Sequence, residues 1–338
     1  MTRRRRAVFA VVTVLSTFLL LGAGLFALDV ALHHRFEKSA GLNVRGYRGP
    51  VVGRKPPGEL RIVVVGGSTV LGYGLDWNEA FPRQLEVALN ASAAGGRRYS
   101  LVNLGYNNEG AYSMRYTLED YAYLDYDAAI LYEGYNDLSP PIKNKQVIRR
   151  QSFVFRLTGY FPILPFIAAE KAMALRWGDI RAAYRGDQVV FEPGLIDRTT
   201  AGALEGSLAV QRALEKRLGG PPVADPADGG GACGPVWSFY CDSVAAAIDY
   251  LRAERKVAFV VTQPLMNDRH RDQQRELREM LAERYGGEPD VRPVDLGGAV
   301  DLKDPALCWD GEHLTREGYA RIAAGLVAPV QSALAHAR

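Results

Sequence analysis

The chain has 338 residues, 48% of them hydrophobic and 23% charged, with a formal net charge of +3 at pH 7. This is an ordinary globular balance, long enough for one large or two ordinary domains. Arg3, Arg4, Arg5 and Arg6 supply four of the positive charges, so the remainder is close to neutral and nothing in it suggests nucleic acid as a partner.

These arginines precede an apolar stretch from Ala7 to Leu32, broken by few polar residues, among them Ser16, Thr17 and Asp29. A bilayer crossing needs about 20 such residues. Residues 1–33 therefore read as an N-terminal signal anchor, with the arginines inside and the rest of the chain outside the cytoplasm. Gly22-Ala23-Gly24 supplies the rival reading, a cleavage site whose use would release a secreted protein. The apolar run continues through Leu25, Phe26 and Ala27, which favours the uncleaved anchor. Residues 34–59 contain Arg48-Gly49-Pro50 and Lys55-Pro56-Pro57-Gly58 and are expected to be a juxtamembrane spacer.

A folded domain is expected over residues 60–338. Strand-like runs occur at Arg61 to Val65, Tyr99 to Leu104, Ala128 to Glu133, Val257 to Thr262 and Val291 to Leu296. Helical patterns alternate with them: Phe81, Leu85, Ala88 and Leu89 on one face with Pro82 in the opening turn, then Val236 to Glu254, Arg271 to Tyr285, and Thr315 to Ala335. On the last, Tyr319, Ile322, Ala323 and Leu326 form the expected core face. Buried strands alternating with helices imply an α/β fold, a parallel sheet covered on both faces.

Residues 140 to about 235 interrupt this alternation and are too long for an ordinary connection of about 2 to 6 residues. They read as an insertion, either a lid or membrane-surface patch or a helical cap packed on the core. The segment ends in a Gly/Pro/Asp-rich linker, Gly219 to Pro235. Cys233 and Cys241 are close enough in sequence to close a small loop in an oxidising compartment, and equally suit free thiols. Cys308 reads as a packing residue.

Two segments carry the chemistry. Arg61 to Val65 leads into Gly66-Gly67-Ser68-Thr69, which puts a hydroxyl at the C-terminal end of a strand, where open α/β sheets hold their ligands. Far downstream, Asp310-Gly311-Glu312-His313 puts a carboxylate three residues before an imidazole. An Asp so spaced accepts the Nδ1 proton, and Nε2 then takes the proton of a nucleophile. Ser68 also suits a helix cap, Asn136 a turn, and His313 an ordinary surface or core histidine.

Together with Asn103-Leu104-Gly105 and Gly134-Tyr135-Asn136-Asp137, these segments resemble the four blocks of the SGNH hydrolases, or GDSL esterases, in the family's order and over residues 60 to 330. The resemblance implies a three-layer α/β/α sandwich with a parallel, flavodoxin-like sheet. It also implies a catalytic triad of Ser68, Asp310 and His313, and an oxyanion hole formed by the amides of Ser68 and Gly105 and the side chain of Asn136. The block after the second strand runs on as Tyr106-Asn107-Asn108-Glu109-Gly110, so Gly110 rivals Gly105 for the second donor. The acidic residue that the family carries before its serine is replaced by Gly67.

Glu109 and Glu133 read as hydrogen-bonded scaffold groups, and Asp137 as a loop-shaping residue. No metal-ligand cluster or dinucleotide loop appears, and no cofactor is expected. The expected activity is hydrolysis of an O-acetyl or longer O-acyl ester of a glycan or lipid-like molecule through an acyl-serine. Its alternatives are a polysaccharide O-acyltransferase with the same triad and a non-catalytic glycan-binding protein. Tyr106, Tyr112, Tyr132 and Tyr135 are candidates for stacking on sugars, with core packing as the alternative.

Overall fold

The computed structural model describes residues 2–36, 41–93, 97–139, 147–177, 195–218 and 233–335. The five β-branched runs form β1 (Glu59–Gly66), β2 (Arg98–Asn103), β3 (Ala128–Tyr132), β4 (Val257–Val261) and β5 (Val291–Val294). All pair in parallel, in the order β2-β1-β3-β4-β5. This is the flavodoxin-like order, and the chain reverses its direction of winding between β1 and β3. A crevice is thereby created beyond the C-terminal ends of those two strands.

The alternation of side chains along β1 divides the core in two. Ile62 and Val64 pack with Phe81, Leu85 and Leu89 of α3 (Phe81–Ala91) and with Tyr319, Ile322 and Leu326 of α11 (Arg316–Ala333). Val63 and Val65 face the other way, toward α4 (Ala111–Asp120), α9 (Ser238–Ala253) and α10 (Asp268–Tyr285). Every residue of β1 and β3 is buried, as a sheet covered on both faces requires. The expected three-layer sandwich is the observed one. Helix α4 was not expected: its sequence, AYSMRYTLED, mixes tyrosines, polar residues and charges and shows no clear apolar face.

The N-terminal helix α1 (Arg3–Phe36) has an 18-residue window of mean hydropathy 2.3, none of it buried. It is long and apolar enough for a membrane anchor or a signal sequence. Its last turns belong to the folded body. The Asp29 carboxylate accepts from the Tyr160 hydroxyl (2.5 Å) and the Leu164 amide (2.6 Å). The His33 ring nitrogens lie 2.8 Å from the carbonyl oxygens of Leu42 and Phe161.

The expected spacer differs as well. Leu42, Asn43, Tyr47 and Arg48 are buried, and Arg48 makes an antiparallel bridge to Asn103 at the end of β2. The Arg48 guanidinium donates to the carbonyls of Leu71, Gly72 and Leu75. Gly and Pro here shape a strap laid across the sheet, because its buried polar side chains find backbone partners.

Within the insertion, α5 (Ile148–Gln151), α6 (Phe153–Thr158), α7 (Leu164–Trp177) and α8 (Leu195–Leu218) are helical. Residues 140–146, 178–194 and 219–232, with most of the expected linker, lie outside the described residues. The part before α7 packs on the core through Val147, Phe155, Phe161 and Ile163, all buried. Arg149, also buried, donates to the carbonyls of Gly46 (2.8 Å) and Leu104 (2.9 Å) and pairs with Glu109 (3.4 Å). Cys233 and Cys241 form a disulfide, and Cys308 is free and buried.

Candidate active site

Ser68 is the first residue of the short helix α2 (Ser68–Leu71), which starts directly beyond β1. Gly67 occupies the cap position and no side chain caps the helix, so the Ser68 hydroxyl is not spent there. Its Oγ lies 3.0 Å from Nε2 of His313. The Nδ1 atom of that ring lies 2.8 Å from the Asp310 carboxylate.

The loop before α11 holds the acid and imidazole in register. Asp310 Oδ1 accepts from the amides of Glu312 (3.1 Å) and His313 (2.8 Å), while its Oδ2 faces the ring. Burial alone would raise the Asp310 carboxyl, but the bonds from the His313 amide and ring outweigh it and hold the group below its ordinary value. Thr315 caps α11 by accepting from the Gly318 amide, which fixes where the loop ends. With Nδ1 donating to Asp310, Nε2 carries the lone pair that faces Ser68.

Asn136 follows β3 on the other side of the crevice. Its side-chain amide donates to the carbonyl of Glu109 (3.0 Å), which orients the NH2 group in the loop after β2. Gly105 differs from expectation: its N–H donates to Oδ1 of Asn103 at 3.0 Å. That amide is used in holding the end of β2. The Gly110 amide has no acceptor among the described residues, and Gly110 adjoins the carbonyl that receives Asn136. The extended second block thus places a different glycine beside Asn136 than the short Asn-x-Gly pattern suggests.

Glu133 and Asp137 serve the same loops. Both Glu133 oxygens accept backbone amides, and Asp137 accepts the Ala111 amide at the start of α4 (2.9 Å). Glu109 is held by Arg149; burial pushes its carboxyl up and Arg149 opposes that rise. The scaffold reading of these carboxylates agrees with their contacts.

Tyr112, Tyr132 and Tyr135 are buried, as the core-packing reading has it, and Tyr106 is half-buried against Phe166. Two aromatic residues that the motifs did not single out stand at the site instead. The Tyr73 ring lies 4.9 Å from that of His313 and is 43% exposed. Trp309 is 47% exposed and packs so closely over Gly74 that a Cβ there would sit 2.0 Å from the indole. Trp309 directly precedes the Asp310 block and Tyr73 follows the Ser68 block by four residues, and this nearness is the signal that could have found them.

No family model and no curated protein matches the chain. Its structure is similar to those of a family 3 carbohydrate esterase from Clostridium thermocellum (11% identity, 83% of this chain and 100% of that one, TM-score 0.43) and a lipase/acylhydrolase from Enterococcus faecalis (12%, 81% and 96%, 0.40). It is also similar to a GDSL-like lipase from Bacteroides thetaiotaomicron (12%, 84% and 93%, 0.42). At such identities and scores, the chemistry is to be read from the chain's own residues.

Proposed function

We propose that this chain is a serine esterase of the SGNH type that hydrolyses an O-acyl or O-acetyl ester outside the cytoplasm. The observation that carries the reading is the continuous relay from Asp310 through His313 to Ser68, with contacts of 2.8 and 3.0 Å. His313 takes the hydroxyl proton as Ser68 Oγ attacks the ester carbonyl, and Asp310 stabilises the imidazolium that forms. The oxyanion is received by the Ser68 amide, the Asn136 side chain and the Gly110 amide, the last in place of Gly105. Collapse of the tetrahedral intermediate expels the alcohol, protonated by His313, and water repeats the sequence on the acyl-serine.

Exposed Tyr73, beside the imidazole, and exposed Trp309, over Gly74, offer flat apolar faces to a sugar ring, which favours a carbohydrate ester. The Cys233–Cys241 disulfide is the form expected in an oxidising compartment. It agrees with α1 as an anchor whose arginines remain inside.

Treatment of the full chain in detergent micelles with a fluorophosphonate probe tests the activated serine. Labelling is expected in the wild type, none in Ser68→Ala, and a steep fall in His313→Ala. A folded wild type that is not labelled would sink the esterase reading in favour of a glycan-binding protein. Release of acyl groups to water rather than to an added sugar separates hydrolase from O-acyltransferase.

A further inference from the structure

Glu133, at the end of β3, is 2% exposed, and no cation pairs with it among the described residues. Three backbone N–H groups surround its carboxylate instead. Oε2 accepts from Gly67 at 2.5 Å, and Oε1 from Gly134 at 2.9 Å and Asn136 at 3.2 Å. Gly67 immediately precedes Ser68, so one carboxylate holds the peptide just before that of the serine together with the asparagine's own. No side chain fits at position 67: a Cβ there would stand 2.2 Å from Asn136 Nδ2 and 2.6 Å from Glu133 Oε2.

We propose that Glu133 is the positioning residue of the oxyanion hole, tying the two loops that carry its Ser68 and Asn136 donors to a single buried carboxyl group. This rests on the esterase reading. The missing acidic residue at position 67 has a counterpart here: the acid reaches the serine loop from β3, and the glycine leaves it room.

The three groups that donate to the Glu133 carboxyl are all backbone N–H, and such bonds favour its ionised form. Burial, and for Glu133 the charge of Asp137, push both carboxyls up, so the pair retains a proton. Among the described residues Asp137 accepts one backbone N–H, that of Ala111, against three at Glu133, so hydrogen bonding favours the proton on Asp137, whereas burial and the Asp137 charge push Glu133 higher, to about 8 against about 7. A glutamine at 133 has one acceptor oxygen, and its NH2 group must confront either Gly67 or the Gly134 and Asn136 pair. The donors move, and a displacement of about 1 Å in such a site costs on the order of 100-fold in rate.

The test compares wild-type full chain with Glu133→Gln, Asn136→Ala and the double variant, using p-nitrophenyl acetate in detergent micelles. Glu133→Gln is expected to lower kcat about 100-fold with KM within about twofold. The double variant is expected to lose far less than the product of the single losses, because both changes act on one hole. Multiplicative losses, or an unchanged kcat, would overturn the proposal.

Should Glu133→Gln fail to fold, Glu133→Asp keeps the carboxyl but reaches only one loop, and its kcat should fall with KM little changed; an unchanged kcat overturns the proposal. Amide exchange read by mass spectrometry adds an arm independent of activity. Residues 67–68 and 134–136 should lose protection together in the folded variant, while the interiors of β1 and β3 keep theirs. If Ser68 is unreactive in the wild type, the esterase reading fails, and unchanged exchange in both loops separately removes Glu133's positioning role.

Discussion

Nε2 of His313 lies 3.0 Å from Oγ of Ser68, although 245 residues separate the two in the chain. Their meeting depends on α2 starting directly beyond β1 and on the loop from Asp310 to His313 being closed by its own aspartate. The same contact gives Asp310 a measurable part in both activity and stability.

Replacing Asp310 by Asn leaves an oxygen for the Glu312 and His313 amides but turns an NH2 group toward Nδ1. The ring then adopts the other tautomer, and kcat should fall roughly 10³- to 10⁴-fold. Stability follows a defined sign. The Asp310 carboxyl is depressed in the folded state, so its contribution is fully present above the unfolded value of about 4 and is lost as pH falls through the lower folded value. Melting curves of wild type and Asp310→Asn should differ by the same amount at pH 6 and 7, and converge only below about pH 4.

Gly110 and Gly105 can be told apart by removing one N–H at a time, through replacement of each glycine by glycolic acid so that an ester oxygen stands in place of the amide nitrogen. At Gly110 the change should lower kcat on the order of 100-fold with KM little altered. At Gly105 it removes the bond to Asn103 and should cost about 1 to 3 kcal/mol of stability with a small effect on kcat. The reverse pattern in steady-state kinetics would return the oxyanion role to Gly105.

Arg149 joins the insertion to the loop after β2 through the Leu104 carbonyl and Glu109. Arg149→Met strands the Glu109 carboxylate in the core and should cost about 3 to 5 kcal/mol in urea denaturation. Adding Glu109→Gln should recover part of that loss, since the stranded charge is then gone. An Arg149→Met protein as stable as the wild type would show that the insertion is held by its apolar contacts alone.

The grip on α1 predicts where the chain can be shortened. A fragment beginning at His34 loses Asp29 and His33, and with them the partners of the Tyr160 hydroxyl and the Leu164 amide. A fragment beginning at Ala27 keeps all of them. The shorter fragment should be less stable by about 2 to 4 kcal/mol, given about 1 to 3 for each buried polar group left unmet. Equal melting temperatures would assign α1 no part in the folded body.

Much of the fold was legible because its strands are buried on both faces and read as continuous apolar runs, as in Ile62 to Val65. Ser68, Asn136, Asp310 and His313 were legible because each follows a strand or precedes a helix with its own signal. Three features escaped. The strap around Tyr47 and Arg48 reads as polar linker because its stability comes from guanidinium-to-carbonyl bonds, which leave no periodicity. Helix α4 is buried under α9 and draws on tertiary packing rather than an amphipathic pattern. The choice we propose between Gly105 and Gly110 as second oxyanion donor turns on which amide Asn103 occupies, a matter of geometry in a loop whose sequence offers two glycines.

The clamp of Asp29 and His33 on the turn between α6 and α7 gives α1 a rigid bearing on the body rather than a leash. With Phe9 to Leu28 in an apolar phase, as the proposed anchor has it, this clamp would hold the mouth at Ser68 near one height above that phase. Esters would have to be delivered to that height, by their own attachment or by a neighbour that hands them over. Lengthening the chain between the sheet and α1 would leave this reach unaltered, whereas loosening the Asp29 clamp would extend it.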